Sequence, residues 1–539
     1  MRVPAVIRSA PIACPAELDP RHVHAATSRL LARLGDRVGP DGAIDDRCRS
    51  RVLESALALA LMTRTGLTSP ARDRVVVYLE AHRDAPDKLD RVLATLAVRH
   101  ASGRAGDEDA ALVAHLTEGV LGAVPGFISV RRRRMVSAVL SVLGCPVPAD
   151  VAAAGGDAPA GPAHSWSVVQ QAAVTLILAA ATGAGDVSTA DALDTLLATD
   201  PATSVWESYV LMHLLTLHGI AGVAGHEARV RDGLQVLLRH QRDDGGFPFI
   251  AEMQNWCTAT AGLGMAAAGA EPGVLGAMGR MLAAHRGGAR LRSLSLGAEL
   301  TGGWSIAPAV ALNDVDSTAC VLEFLQATDP AGFGGTVRDG VRALLAVQGE
   351  DGGFPTYVTG AASEPCMTAA AVGALAAVPA TAAARRRALG FLADSQQSDG
   401  GFEPGWSRSR LHTLFRARLA ACSAEPDDRR AATLAARIER TVGETQNDDG
   451  GWGMQPGDAS DDISTAYGLI ALCYGSDPRP VGRALSWLLA RQNPDGGFSG
   501  PPDMVGPRPF PYHLPVLTDA PVLLAFGHAR ARIAVPQTV

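Results

Sequence analysis

The sequence predicts an all-α protein built around an (α/α)6 barrel, and two observations support this prediction. The first is a repeat, Gln-x-x-Asp-Gly-Gly-aromatic, whose copies begin at Gln241, Gln348, Gln396, Gln446 and Gln492. The second is a degenerate copy, Gly302-Gly303-Trp304, with which the aromatic positions lie 46 to 57 residues apart. A period of this length indicates one supersecondary unit per repeat.

Each repeat shows the same order of elements. An amphipathic helical segment runs into the glutamine, and the Gly-Gly pair then permits positive φ and a sharp reversal. A threonine opens a second, more apolar helix, for which it is a suitable cap. These threonines are Thr258, Thr318, Thr368, Thr413, Thr465 and Thr518. Two helices in each of six units form the simplest closed barrel with the more apolar helices as its inner ring.

One position of the repeat differs in chemistry from its counterparts. The residues two before each threonine are Trp256, Asp316, Cys366, Leu411, Ile463 and Val516. Asp316 is the acid in an apolar column, and burial disfavours a charged carboxylate. A carboxylic acid kept protonated near neutral pH is a proton donor, and Asp314 could hold it by a hydrogen bond or a shared proton. Alternatively, Asp316 and Ser317 only cap the helix, as Asp461 and Ser464 could in a later repeat.

These motifs resemble those of a known family. The repeats are similar to the QW motifs of class II terpene cyclases, and Asp314-Val315-Asp316-Ser317-Thr318-Ala319 resembles their Asp-x-Asp-Asp-Thr-Ala motif. The middle aspartate of that motif protonates a terminal alkene or epoxide, so the resemblance assigns this role to Asp316, with Asp314 and Ser317 tuning it. Ser317 stands where the motif has its last aspartate; oxidosqualene cyclases carry cysteine there and keep the acid.

The resemblance also implies a domain layout, with a β-type catalytic barrel and an inserted γ-type helical domain. Residues 1–20 are expected to form an N-terminal arm and residues 21–37 the first helix of the barrel. Residues 38–204 would be the inserted domain, residues 205–530 the catalytic domain and residues 531–539 a tail. We expect the product-forming cavity between the two helical domains.

A carbocation in such a cavity needs walls that exclude water and supply electron density. Aromatic faces supply it through cation–π attraction, ~0.5–2 kcal/mol each. The candidates near the predicted starts of inner helices are Trp256, Trp304, Tyr357, Trp406, His412, Phe415, Tyr467 and Tyr512. Each of them could instead serve packing alone. His412 precedes the threonine of its repeat, so it could also orient the acid or remove the final proton.

Two charged clusters in the inserted region bear on the substrate. Asp107-Glu108-Asp109 could hold Mg²⁺ and a diphosphate, as an acidic motif does in some diterpene cyclases, or could be ordinary acids at a helix start. Arg131–Arg134 could meet a diphosphate, for which arginine is well suited, or could form a solvated helix start. The sequence has no Asp-Asp-x-x-Asp motif that would ionise a diphosphate. Mg²⁺ is therefore expected only as a partner of the substrate.

Composition bears on the partners and the cellular location of the protein. A formal net charge of −7 argues against nucleic acid as the main partner. Eight cysteines without a Cys-x-x-Cys pair are typical of reduced thiols in the cytoplasm. We recognise no signal peptide and no apolar run near the ~18–20 residues of a spanning helix. We therefore expect a cytoplasmic monomer or homodimer without an integral membrane segment.

The favoured function is cyclisation, started by protonation, of a linear isoprenoid. Geranylgeranyl diphosphate is the preferred substrate, and the product would be a bicyclic copalyl- or labdane-type diphosphate. Alternative substrates are farnesyl diphosphate and a squalene-like or meroterpenoid polyene. A prenyltransferase β-like subunit would need an Asp/Cys/His zinc site, but Ser464 stands where its cysteine is expected. A repeat scaffold without chemistry should have an inner column that is apolar throughout.

Overall fold

The computed structural model describes residues 19–104, 111, 113, 114, 117, 129–153, 161–183, 187–288, 293–506 and 510–532. Helices dominate these residues, and we number them in chain order. Those up to Leu238 are α1 (Pro20–Gly35), α2 (Val52–Arg64), α3 (Pro70–Ala81), α4 (Lys88–Ala101), α5 (Ser129–Val142), α6 (Ala149–Ala153), α7 (Ser165–Thr182), α8 (Val187–Leu197), α9 (Val210–Ile220) and α10 (Glu227–Leu238).

The later helices alternate between two rings. They are α11 (Gln254–Ala268), α12 (Pro272–Ala284), α13 (Val315–Thr328), α14 (Gly334–Ala346), α15 (Pro365–Leu375), α16 (Ala382–Ser395), α17 (Leu411–Cys422), α18 (Arg429–Glu444), α19 (Asp462–Leu472), α20 (Pro478–Arg491) and α21 (Val516–Arg532). Short 3₁₀ turns lie at Trp206–Ser208 and Pro379–Thr381. Two short strands, β1 (Ser50–Arg51) and β2 (Phe247–Pro248), pair antiparallel.

The odd-numbered helices from α11 to α21 form a closed inner ring. Each packs on the next, and α21 packs back on α11. The outer ring consists of α12, α14, α16, α18 and α20, together with α1, which packs on α11, α20 and α21. The inner helices are buried nearly all round, because outer helices cover one side of them and neighbouring inner helices the others. The predicted all-α fold with an (α/α)6 barrel is therefore confirmed among the residues described.

Three glutamines of the repeat, Gln348, Gln446 and Gln492, join one outer helix to the next. The side-chain amide of Gln348 donates to the carbonyl of Gly352 in its own turn and to that of Ala384 in α16, both at 2.9 Å. Gln492 makes the same pair of bonds to Gly496 and to Ala26 in α1. This last bond closes the outer ring between the two ends of the chain.

The first copy of the repeat belongs elsewhere. Gln241 donates to the carbonyl of Ala71 in α3, and helix α9 packs with α2, α7, α8 and α10 in a second helical group. The N–H of Phe247 donates to Ser55 Oγ in α2. These contacts connect β2 with the second group, so both helical groups share the repeat motif. The boundary at residue 204 stays a prediction.

The threonines act differently from the prediction. Thr318, Thr368 and Thr465 lie inside their helices, and each Oγ1 accepts the N–H of the aromatic residue that follows the Gly-Gly pair, at 2.9–3.0 Å. Their expected role as helix caps is wrong, because aspartates four residues earlier cap α13 and α19, and α15 has no side-chain cap. Thr258 Oγ1 accepts a hydrogen bond from the N–H of Ile44, which lies in the loop that follows α1.

Helix α7 is the one described helix that is long and apolar enough to cross a membrane, which the sequence reading did not anticipate. About 44% of its 18 residues are buried inside the protein. It packs on α5, α8 and α9, so its apolar side chains contact other helices as those of a core helix do.

We predict that Thr465→Val destabilises the barrel by about 1–3 kcal/mol, because it leaves the buried N–H of Trp452 without an acceptor. Exposed Thr433 offers a matched control, since its hydroxyl bonds only within α18. Thr433→Val should change stability by less than about 0.5 kcal/mol. Denaturant unfolding of both variants measures the difference, and equal midpoints would contradict the proposed bond.

Candidate active site

A cavity of about 570 Å³ lies between the inner ring and the second helical group. Its walls come from α11, α13 and α15 on one side and from α5 and α7 on the other. The loops that flank β2 and precede α21 complete it. The lining combines three acidic-motif residues, a set of aromatic rings and three arginines, which makes it the candidate site.

Asp316 lies at the ring side of this cavity. It is the second residue of α13 and is only 8% exposed. Its Oδ1 has no hydrogen-bond partner, and the nearest cationic atom is Arg416 Nη2 at 3.6 Å. Burial raises the pKa of the Asp316 carboxyl, and the Arg416 charge opposes this effect only in part. The structure therefore offers a buried carboxyl that favours its protonated form.

Asp314 holds the start of α13. Its Oδ1 accepts the N–H of Ser317 at 2.6 Å, and its own N–H donates to the carbonyl of Trp304. Burial raises the pKa of Asp314 to about 7, although the bond from Ser317 opposes the rise. The expected hydrogen bond between the Asp314 and Asp316 carboxyls is absent from the described contacts. Asp314 instead fixes the backbone on which Asp316 and Ser317 stand.

The loop ahead of Asp314 is held by a residue that sequence reasoning missed. Glu207 Oε2 accepts the N–H groups of Ala311 and Leu312, at 2.9 and 3.2 Å. Both Glu207 and Ser208 have a φ of 54°, a conformation that costs energy in residues with a side chain. Burial raises the pKa of Glu207 to about 7. A strained turn in the second group is thus tied directly to the acid-bearing loop.

The predicted aromatic residues divide between two cavities. Tyr357 and Trp406 line the large cavity, and Trp256 and Tyr512 line both it and a smaller one of about 130 Å³ inside the ring. Phe415 and Tyr467 line only the smaller one, stacked with their centroids 4.9 Å apart.

Trp304 lines neither cavity. It is fully buried, and its Nε1–H donates to the carbonyl of Leu282. Its predicted cation-stabilising role does not fit this position.

Three further rings in the large cavity were missed. Trp166, Tyr209 and Phe249 form a row, with successive centroids 4.7 and 4.8 Å apart, and Tyr512 continues it at 4.7 Å from Phe249. They lie in or next to the second helical group, whereas the sequence reading considered only the starts of inner helices. An aromatic row across from Asp316 provides the electron-rich wall that a carbocation needs.

His412 does not contact Asp316. Its Nδ1 lies 3.3 Å from Cys366 Sγ, and its ring packs edge-on against Phe415 and Tyr467. Burial and the charge of Arg416 lower the pKa of His412 to about 3. The imidazole is therefore neutral and part of the ring interior, so its predicted role in orienting the acid by direct contact does not fit.

Three of the four consecutive arginines reach the large cavity. Arg131, Arg132 and Arg134 line its wall, whereas Arg133 pairs with Asp150 at 2.8 Å. Asp107, Glu108 and Asp109 lie outside the described residues. Within the described part of the chain, no group of three or more His, Cys, Asp or Glu side chains could hold a metal ion.

Charged residues inside the ring are a further feature that sequence reasoning missed. Arg416 of α17 lies between Asp316 and Glu323, with its Nη1 3.5 Å from Glu323 Oε2. Burial raises the pKa of Glu323 to about 7. A signal was present, because both are charged residues in inner helices whose sequences are mostly apolar.

Comparison with known proteins decides the family. Two relatives are 37% identical to this chain, the drimenyl diphosphate synthases of Streptantibioticus cattleyicolor and Streptomyces showdoensis. The first match covers 94% of this chain and 95% of the relative, and the second covers 94% of both. The chain belongs to the class II terpene cyclases. Residues 319–504 of the cyclase also match the prenyltransferase alpha-alpha toroid domain.

A solved structure supports the same fold. The ent-copalyl diphosphate synthase from Streptomyces platensis aligns with a TM-score of 0.59 at 20% identity, over 94% of the cyclase and 99% of that chain. At this identity the likeness concerns the fold alone. It covers both helical groups of the cyclase, and the resemblance first noted from the repeats is confirmed.

We predict that the ring of Tyr357 matters more than its hydroxyl. Tyr357→Phe keeps an aromatic face in the cavity and should retain near wild-type turnover. Tyr357→Leu removes that face and should lower kcat roughly three- to thirtyfold, from the loss of one cation–π contact. Steady-state kinetics on both variants provide the measurement, and equal losses would show that the hydroxyl matters and the aromatic face does not.

Proposed function

We propose that the cyclase protonates the terminal alkene of farnesyl diphosphate through Asp316 and forms a bicyclic drimenyl-type diphosphate. The observation that carries this proposal is the position of Asp316, a buried carboxyl facing a large, aromatic-lined cavity. Arginines on the far side of the same cavity supply a place for the diphosphate.

The chemistry follows from the arrangement. The Asp316 O–H adds its proton to the terminal carbon–carbon double bond, which leaves a tertiary carbocation. Two internal double bonds then attack in turn and close two rings, while the aromatic walls stabilise the positive charge. Loss of a proton from a carbon next to the last cation gives a neutral alkene. The C–O bond to the diphosphate stays intact, so the product is an isomer of the substrate.

The names of the relatives favour a C15 substrate. Both are drimenyl diphosphate synthases, and the linear isomer of a drimenyl diphosphate is farnesyl diphosphate. Geranylgeranyl diphosphate, preferred from the sequence, is the second candidate, and the fold shared with a copalyl diphosphate synthase is compatible with it. The same assay distinguishes the two substrates.

The diphosphate end of the substrate fits the arginine side of the cavity. Guanidinium groups bind phosphate oxygens with paired, charge-assisted hydrogen bonds. Mg²⁺ would enter with the diphosphate, and Asp107, Glu108 and Asp109 remain the proposed acidic residues that hold it. A cytoplasmic location and a monomeric or homodimeric state also stay predictions from the sequence.

We predict that Asp316→Asn lowers turnover by on the order of a thousandfold or more, because an amide cannot donate the initiating proton. Wild type and variant are incubated with farnesyl or geranylgeranyl diphosphate and Mg²⁺, treated with phosphatase, and analysed by mass spectrometry. Asp461→Asn is the matched control, since Asp461 is a buried aspartate that caps α19. It should stay active, and full activity of Asp316→Asn would contradict the mechanism.

A second prediction concerns the arginines. The double variant Arg131→Gln/Arg132→Gln should raise KM for the diphosphate substrate about tenfold, because it removes two charged donors from the cavity wall. Arg133→Gln is the control, since Arg133 pairs with Asp150 on the surface. Initial rates over a range of substrate concentrations separate KM from kcat. Equal KM values for all three proteins would place the diphosphate elsewhere.

A further inference from the structure

Arg416 is shared by two carboxyl groups inside the ring. Its Nη2 lies 3.6 Å from Asp316 Oδ1, and its Nη1 lies 3.5 Å from Glu323 Oε2. All three side chains are at least four-fifths buried, at 12%, 11% and 19% exposure for Asp316, Arg416 and Glu323. Both acids belong to α13, seven residues apart, and the guanidinium bridges them from α17.

The Glu323 carboxyl occupies space that a side chain at Gly373 would fill. It lines the smaller cavity inside the ring together with Arg416, and its Oε1 lies where a Cβ on Gly373 would be, only 2.1 Å away. Gly373 lies in α15, where its own φ does not require glycine. The absence of a side chain at this position therefore admits the Glu323 carboxyl beside Arg416.

The charges of this group constrain which acid keeps a proton. One buried guanidinium can neutralise one carboxylate, and a second carboxylate in the same apolar surroundings would be an uncompensated buried charge. One of the two acids must therefore be protonated. If Glu323 supplies the negative partner of Arg416, Asp316 is left as the neutral acid. If Asp316 supplied it, the proton donor would be lost.

We propose that Glu323 is the counter-ion of Arg416, and that this pairing prevents Arg416 from stabilising the Asp316 carboxylate. Glu323 is thus a positioning residue for the acid, since it acts through Arg416 and not on the substrate. This inference rests on the proposed role of Asp316 as proton donor.

Other ionisable groups face the three side chains and would respond to the same charges. On α13 these are Asp314 and Cys320, and the remaining neighbours are Cys366 on α15, Glu364 directly before it, His412 on α17 and Tyr467 on α19. The cysteine and tyrosine pKa values are raised by burial, and His412 is neutral. Arg416 is therefore the cation of this group among the described residues, and Glu323 is the acid on its far side from Asp316.

The test is the pH dependence of kcat/KM. The active enzyme carries protonated Asp316, so activity falls as the pH rises through the pKa of this carboxyl. Glu323→Gln leaves the Arg416 charge unopposed, which lowers that pKa. The alkaline fall should move to lower pH by about one pH unit. Arg416→Met removes the cation and should move the fall in the opposite direction.

Two further variants guard against a purely structural effect. Glu323→Asp keeps the negative charge and should return the alkaline fall towards its wild-type position. Gly373→Ala removes no ionisable group, but its methyl group displaces the Glu323 carboxyl. It should therefore reproduce part of the change seen in Glu323→Gln. Circular dichroism and thermal unfolding establish which variants fold. If Glu323→Gln does not fold, the pH profile of Gly373→Ala is the test.

The outcomes separate this inference from the proposed function. An unchanged alkaline fall in the folded variants, or the same direction of change in Glu323→Gln and Arg416→Met, would overturn the counter-ion role. If the counter-ion role is overturned but Asp316→Asn is inactive in the same assay, Asp316 remains the proposed proton donor. If Asp316→Asn is active, the proposed function itself fails, and the role of Glu323 fails with it.

Discussion

The removal of one carboxyl group from water is the constraint on which the cyclase depends. Asp316 stands at the start of an inner helix, where the equivalent position of the other repeats is apolar, and it makes no hydrogen bond through Oδ1. Burial in that place raises the pKa of the carboxyl, because it disfavours the charged form. A closed ring of helices can maintain such desolvation, because each inner helix is covered on every side. Under the proposed mechanism, a substrate in the cavity would take its proton from this carboxyl.

The residues that stabilise the ring are different from the residue proposed to react. Glutamine amides join neighbouring outer helices, threonine hydroxyls hold the turn of their own repeat, and both lie with the glycine pair at the turn end of the repeat. Asp314 uses its side chain to cap α13, and Glu207 holds the preceding loop. Asp316 is thereby placed on a backbone fixed from two directions while its own carboxyl stays without a hydrogen bond at Oδ1. Rigid support and an unsatisfied carboxyl oxygen are what the proposed role of Asp316 as a preorganised proton donor requires.

The repeat spacing was sufficient to predict the barrel, since a period near 50 residues with Gly-Gly turns leaves few closed arrangements. Asp316 could be singled out because it breaks an apolar column. The contacts of the first repeat could not be predicted, because Gln241 and Phe247 carry the same motif into the second helical group. Trp304 looked like a wall residue, but the turn it follows points its ring into the core. The Arg416 contacts depend on how α13 and α17 face each other, which no local pattern encodes.

The most direct test of the account is a reaction in D₂O with farnesyl or geranylgeranyl diphosphate, whichever the cyclase turns over. Protonation by Asp316, whose acidic hydrogen exchanges with solvent between turnovers, predicts a cyclic product that gains one deuterium at the former terminal alkene. The diphosphate should still be attached until phosphatase is added. A cyclic product without deuterium, or release of inorganic diphosphate during cyclisation, would show that the reaction starts by ionisation and would contradict the role of Asp316.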